Sequence, residues 1–308
     1  MLFEDFANLD LFAEDEPPSD SYSRPCKTFI KWCKLPSDVQ QCVISRMDFF
    51  TRYSLSKCSK KMHILEKGPP IKIDAIEIND SERFYCYDCD SDSKADWDIE
   101  ASEIKKINCK SFRYAFANRQ RLLYALNMLA EQVDRLELLD TDQDENFSYR
   151  TTVTPDILSH SQIQNAKRFY FWANCNFTEE LFLSLKAAQM TFFSSTIHNE
   201  AINKFIKKWI KGDGPKEFVK LSIWYRNSFN KNEILKGIFY RNWDDDFKKE
   251  AGGFCADFDR VMGGRDCAQI MHNNGKQSAT LRISDDSILF IVTGHYLEKY
   301  KCFCYSIP

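Results

Sequence analysis

Residues 35–65 read LPSDVQQCVISRMDFFTRYSLSKCSKKMHIL, and this stretch decides the architecture of the N-terminal part of the chain. Pro36 has no amide donor and stiffens the entry, and Ser37 with Gln40 forms a Ser-x-x-Gln capping box at the head of a helix. Val39, Val43, Ile44 and Met47 fall at helical spacing on one face, with Asp38, Gln41, Ser45 and Arg46 largely elsewhere. After a turn at Asp48, Phe49, Phe50 and Thr51, residues Leu55, Cys58, Met62 and Leu65 repeat at helical steps, with Lys57, Lys60 and Lys61 off that stripe. Gly68, Pro69 and Pro70 then stop the helix. Helices this short bury little surface alone, so the module needs a partner or a following domain to be well ordered. Periodicity by itself fits a docking module and an ordinary helical hairpin equally.

The order of the residues separates those readings. Leu35-Pro36 is followed by Val39, Val43, Ile44 and Met47, at four, eight, nine and twelve residues after the leucine. The Asp48 turn comes next, then Leu55 and Cys58-Ser59-Lys60-Lys61, and together these resemble the F-box. Arg52 stands where that family usually shows an apolar residue, and Met62 where a tryptophan is frequent. The resemblance implies a helical domain over residues 30–70 that docks on a Skp-type adaptor, and through it on a cullin scaffold. Its adaptor-binding residues would be Leu35, Pro36, Val39, Val43, Ile44, Met47 and Leu55.

Composition bounds the remainder. The chain has 308 residues, is 44% hydrophobic and contains 25 phenylalanines, enough for one large or two modest domains with a sizeable core. A net charge of −3 gives no broad cationic surface and argues against nucleic acid as the main partner. The first twenty residues hold seven acidic groups and no Lys or Arg, the reverse of a signal-peptide head. No apolar run approaches the length of a membrane span. The twelve cysteines are scattered, so they read as free thiols of a reduced intracellular protein, cytoplasmic or nuclear.

Residues 1–24, with Phe3, Phe6, Leu9, Leu11 and Phe12 among acids, read as a disordered acidic tail. Residues 71–79 read as a strand, 80–103 as an acidic surface loop, and 111–132 as a long helix leading to a strand over 135–139. Helix–strand units then recur, with strands at 168–172, 190–193 and 220–224. The preceding helices lie around 156–164, from a Thr178 cap to Leu185, and from a cap near Asn199 to Gly212. Strand spacing of about 20 to 30 residues is that of leucine-rich repeats. Phe169-x-Phe171-x-x-Asn174 fits the start of such a repeat, although the other units lack the asparagine. A plain α/β layer is the competing reading. Asn274-Gly275 between two apolar runs signals a hairpin, and the end of the chain reads as a small antiparallel sheet capping the array. The fold class is therefore α+β: a helical module, then a repeat-like α/β domain over residues 71–308, closed by a hairpin sheet.

The segment Trp209-Ile210-Lys211-Gly212, then residues 233–238, Gly252-Gly253-Phe254 and the Asn-Gly-Lys hairpin resemble the F-box-associated domain of the large nematode F-box families, over roughly residues 160–300. That resemblance implies a region that selects a target protein and has no known catalytic residues. Alternation along the strands places Glu137, Tyr170 and Ser222 on one exposed face, the expected target-binding surface.

Enzyme readings need a constellation, and none assembles. His63, His160, His198, His272 and His295 sit in no metal pattern, and Cys86-x-x-Cys89 is a zinc half-site without a complement at usual spacing. No phosphate loop is present, and the Asp244-Asp245-Asp246 run reads as a solvated turn. No catalytic residue, metal or cofactor is expected. The function implied is substrate recognition within a Skp-cullin-F-box ubiquitin ligase, the alternative being an F-box scaffold or regulator without a ligase.

Overall fold

The computed structural model describes residues 35–47, 49–66, 72–79, 83–88, 91–97, 108–116, 119–130, 132–140, 152–224, 229–263 and 266–308. The acidic tail, the Asp48 turn, the Gly68–Pro70 stop signal and Cys89 of the zinc half-site lie outside them.

Three short helices come first: α1 (Ser37–Ile44), α2 (Phe49–Cys58) and α3 (Lys60–Glu66). Ile44, Leu55, Met62 and Leu65 close a small core between them, with Met47 packed against it. The expected capping box is not formed. Pro36 is the residue before the helix and no side chain caps it; Ser37 is already helical, while Gln40 is turned inward and fully buried. Met62 fills the core where the sequence comparison led one to look for a tryptophan, and Arg52 is buried at 2% exposure.

The rest of the chain builds one mixed sheet, with fourteen strands among the described residues. In chain order the elements are β1 (Lys72–Asn79), β2 (Arg83–Asp88), β3 (Ser91–Trp97), β4 (Asn108–Phe116), α4 (Arg119–Met128), β5 (Arg135–Asp140), β6 (Thr152–Val153), α5 (Pro155–Leu158) and α6 (Ser161–Gln164). Next come β7 (Arg168–Cys175), α7 (Glu179–Ser184), β8 (Gln189–Phe193), α8 (Asn199–Lys211), β9 (Lys220–Trp224), α9 (Lys231–Ile234) and β10 (Tyr240–Asn242). The chain ends with α10 (Asp245–Glu250), α11 (Gly252–Met262), β11 (Cys267–Met271), β12 (Gln277–Ile283), β13 (Ser287–Leu297) and β14 (Cys302–Tyr305). Strands β1, β4, β5, β7, β8 and β9 lie side by side in parallel. The sheet continues through β13, β12, β11 and β10 in antiparallel fashion.

Period-two burial in β7 sends Phe169 and Phe171 inward and Arg168, Tyr170 and Trp172 to the opposite face. Inward residues of all the parallel strands share one core with Leu122, Leu126, Phe182, Phe205 and Trp209 from the helices. Thr178 caps α7, its hydroxyl accepting from the Leu181 amide at 3.3 Å, and Gly212 ends α8 at φ 84°.

Three expectations are corrected. Residues 108–116 form a strand in which Phe112, Tyr114 and Phe116 alternate inward, so the helix begins only at Arg119. Within the expected loop over 80–103, Arg83–Asp88 and Ser91–Trp97 are strands that pair antiparallel at the sheet edge. The C-terminal hairpin is real, with Gly275 at φ 66°, but it caps nothing separate: β13 pairs with β9 and extends the same sheet. A chain of rings crosses that junction, Phe182–Phe205 at 5.3 Å, Phe205–Phe218 at 5.5 Å and Phe218–Phe290 at 5.6 Å between centroids. Burying each such ring contributes on the order of 2–3 kcal/mol.

On the face opposite α4–α9 a second, smaller core forms. Helices α10 and α11 roof it over β11–β13, where Phe247, Phe254 and Phe258 pack on Cys267, Leu289 and Ile291. Gln269, Ser278, Thr280 and Thr293 satisfy one another under that roof, with hydrogen bonds of 2.8–3.3 Å.

Candidate functional site

Two surfaces present unusual chemistry. The first is α1. Its inner side is spent on the module's own core, yet Leu35, Val39 and Val43 remain 38, 39 and 37% exposed. Val39 and Val43 stand at i and i+4 on the outer side of the helix, with Leu35 and Pro36 exposed just before its head. The predicted docking set therefore divides. Leu35, Pro36, Val39 and Val43 face outward, Met47 is half-buried, and Ile44 and Leu55 are core residues that hold the module's shape. The single stripe expected from periodicity splits because Val43 and Ile44 differ by 100° around the helix.

The second surface is the sheet face opposite α4–α9. Register places Arg113, Glu137, Tyr170, Thr191 and Ser222 in one row across β4, β5, β7, β8 and β9. The sequence thus assigned Glu137, Tyr170 and Ser222 to a common row, but not to common exposure. Glu137 keeps 15% of its side chain exposed, Tyr170 is half-buried, and Ser222 is buried between larger neighbours. A serine on a narrow row is overshadowed by the longer side chains beside it, so Ser222 is not the exposed contact that alternation led us to expect.

The row is laced with polar contacts. The Arg135 guanidinium donates to Glu137 Oε2 at 3.1 Å and lies 5.1 Å from the Tyr170 ring centroid. The Tyr170 hydroxyl donates to Gln189 Oε1 at 2.8 Å. Arg113 sits 3.9 Å from Glu137 and 3.7 Å from Glu77. Ion pairs this exposed contribute ~0.2–1 kcal/mol each, so their effect is to fix side-chain directions rather than to hold the fold.

Residues that the sequence reading missed flank this row. Toward the strand starts lie Arg135, Arg168, Gln189 and Lys220, neighbours in register. Toward the strand ends lie Trp172, Phe193 and Trp224, half-buried, with centroids 5.9 and 6.0 Å apart. The signal was present in the alternation Arg168-Phe-Tyr170-Phe-Trp172, whose odd members are not apolar core. Burial holds the Lys220 ammonium below the usual lysine range, and the Arg282 guanidinium adds to that.

Other chemistry is sparse. A shallow depression of about 390 Å³ is lined by Lys167, Lys186, Lys216 and Glu217, and pairs no nucleophile with a base. His160 is held between Gln162 and Asn127 at 2.5 and 3.1 Å. Among the described residues no three His, Cys, Asp or Glu side chains gather as metal ligands, and no helix is long and apolar enough to cross a membrane.

The chain thus combines a small helical module bearing an outward apolar ridge with a large mixed sheet. Two known families match parts of it. Residues 32–74 match the F-box domain, and residues 157–217 match the F-box associated family. An uncharacterised F-box protein of Caenorhabditis elegans is 33% identical over 205 residues, covering 66% of this chain and 52% of its own length. The chain spans about half the length of that curated relative. No solved structure matches. The chain thus carries an F-box and an F-box-associated region, as the resemblance in the sequence implied, and no catalytic family is indicated.

Proposed function

We propose that this chain is the substrate-recognition subunit of a Skp-cullin-F-box ubiquitin ligase. The observation that carries the reading is the ridge of Leu35, Val39 and Val43, left exposed although Ile44, Leu55, Met62 and Leu65 already complete the module's core. An apolar ridge on so small a module is what an adaptor groove would cover. The chain performs no chemistry itself and needs no cofactor; it raises the effective concentration of target lysines near the ubiquitin carrier that other subunits supply. In this reading residues 30–70 dock and residues 71–308 select, in the cytoplasm or nucleus.

Target selection falls to the sheet face opposite α4–α9, with Tyr170 as anchor beside Glu137. Parallel strands in chain order, with their helices on one side, support a degenerate leucine-rich-repeat-like array whose other face receives a protein.

Affinity purification of the tagged full chain tests this. Adaptor and cullin are expected to co-elute, and both are lost from a Val39→Asp/Val43→Asp variant whose melting curve is unchanged. Recovery of adaptor without cullin would favour the scaffold reading. A Tyr170→Ala variant is expected to keep the adaptor and lose captured targets; equal capture would contradict the face assignment.

A further inference from the structure

Among the described residues β10 ends the sheet, and its register with β11 sets Tyr240 opposite Ile270 and Arg241 opposite Gln269. The Trp243 amide donates to the Cys267 carbonyl at 3.3 Å, one position beyond the pair of Asn242 and Ala268. Bonding alternates along an antiparallel ladder, so Arg241 bonds inward to β11 while Tyr240 and Asn242 turn their N–H and C=O groups to the outer edge. Among the described residues no strand takes up that edge.

The approach to β10 carries exposed apolar side chains. Ile238 is buried in the core, whereas Phe239 beside it stands 92% exposed. Tyr240 and, on β11, Met271 keep 36 and 41% exposure. A strand edge bearing exposed apolar side chains is a template for another chain.

Charge decides which chain. Helix α8 runs past this segment: Asn203 Nδ2 donates to the Lys236 carbonyl at 3.0 Å, and Lys207 Nζ lies 3.4 Å from where a Cβ on Gly237 would stand. Lys211 follows Lys207 by one helical turn. The other lysines of α8 and α9 have partners: Lys204 pairs with Glu179 and Glu200, Lys208 donates to the Leu183 carbonyl, and Lys231 lies 3.9 Å from Asp266. Glu233 is held by Asn199 and Asn230. Among the described residues Lys207, Lys211 and Lys236 have no ion pair and no side-chain hydrogen bond.

We propose that the β10 edge receives an extended acidic segment of a partner protein, which adds to the sheet as a further strand. Its backbone pairs with Tyr240 and Asn242, an apolar side chain lies against Phe239, and its carboxylates meet Lys207 and Lys236. This surface is separate from the adaptor ridge and from the row around Tyr170, and the proposal does not rest on the receptor reading. An anionic membrane also suits lysines beside an exposed ring. Only a polypeptide backbone, however, answers the outward N–H and C=O groups of a strand in register.

Fluorescence anisotropy on the purified full chain tests the proposal. The probe is a fluorescein-labelled pool of ten-residue peptides in which Glu or Asp alternates with Val, Thr or Phe. One control replaces the acids by Gln and Asn. A second methylates the backbone nitrogens, which blocks strand pairing and keeps the charge. A third is phosphatidylserine vesicles, read by co-sedimentation of the chain. The acidic pool is expected to bind at least tenfold more tightly than either peptide control, and to weaken as salt rises. Phe239→Ser and the double variant Lys207→Glu/Lys236→Glu are each expected to weaken it tenfold, with melting curves showing that each variant folds. Lys186→Glu, at an exposed position on another part of the surface, is expected to leave binding unchanged. Equal binding of the neutral or methylated pool, indifference to Phe239→Ser, or an equal loss from Lys186→Glu would overturn the proposal. So would sedimentation with vesicles while no peptide binds, because the occupant would then be a membrane. Binding that appears only after residues 1–24 are removed would also overturn it, because the occupant would be the chain's own acidic segment.

Discussion

At the scale of single residues, the buried cations and thiols make separable predictions. Lys220 is held below the usual lysine range by burial, so its charge opposes folding at neutral pH. Lys220→Met removes that opposition and is expected to raise the melting temperature by ~2–4 °C per kcal/mol gained; an unchanged or lower value would mean the ammonium is well solvated. Under α10 and α11, burial pushes the Cys267 thiol from 9.0 up to about 12 and the Tyr305 phenol from 10.0 up to about 12. Both groups favour the folded state while protonated. Their contribution is whole below pH 9 and is lost as pH climbs toward 12. Denaturant midpoints measured across that window are expected to fall, and Cys267→Ala with Tyr305→Phe is expected to flatten the fall; equal slopes in parent and variant would refute the assignment. Thiol labelling of the native protein is expected to reach Cys42, Cys58, Cys302 and Cys304 quickly, and Cys109, Cys175 and Cys267 only on unfolding.

At the scale of elements, the junction of β12, β13 and β14 is the tightest point. A Cβ on Gly294 would run into Ser278 Oγ and would sit 3.0 Å from the Tyr305 ring, next to the register shift between Ser278 and Ala279. Gly294→Ala is expected to cost about 1–3 kcal/mol in a denaturant titration; a neutral result would show that β14 moves aside. Asp244 caps α10, its carboxylate accepting from the Phe247 amide at 2.8 Å, so Asp244→Ala is expected to cost ~1 kcal/mol. The elements legible in the sequence were those with one clear period. Strands β5, β7, β8 and β9 alternate, and α8 repeats apolar residues with Gly212 at its end. Residues 111–132 misled because Phe112 and Phe116 are four apart, a helical step, while the deciding Tyr114 between them carries a polar tip. Residues 83–88 and 91–97 misled because their acids masked strands at the sheet edge, where polar residues are ordinary. On α1 the pattern showed which residues are apolar but not that the module's core is filled from one side only. The row across β5, β7 and β9 was readable from alternation, whereas the exposure within it depends on side-chain length and on the roof formed by α10 and α11.

At the scale of the whole molecule, the proposed function assigns two surfaces: a narrow apolar ridge on the helical module, and a face of mixed character on the sheet. The acidic residues 1–24 lie outside the described residues. Deleting them is expected to leave thermal stability and adaptor binding nearly unchanged, and a clear loss of either would assign that segment to the body. The receptor role depends on the ridge, because without an adaptor there is no receptor. The most direct measurement is a calorimetric titration of the purified full chain with a purified Skp-type adaptor, beside the Val39→Asp/Val43→Asp variant. A saturable one-to-one complex is expected for the parent and none for a variant of unchanged circular dichroism and melting temperature; no heat of binding from a folded parent, or equal affinity in the variant, would contradict the docking role of the ridge.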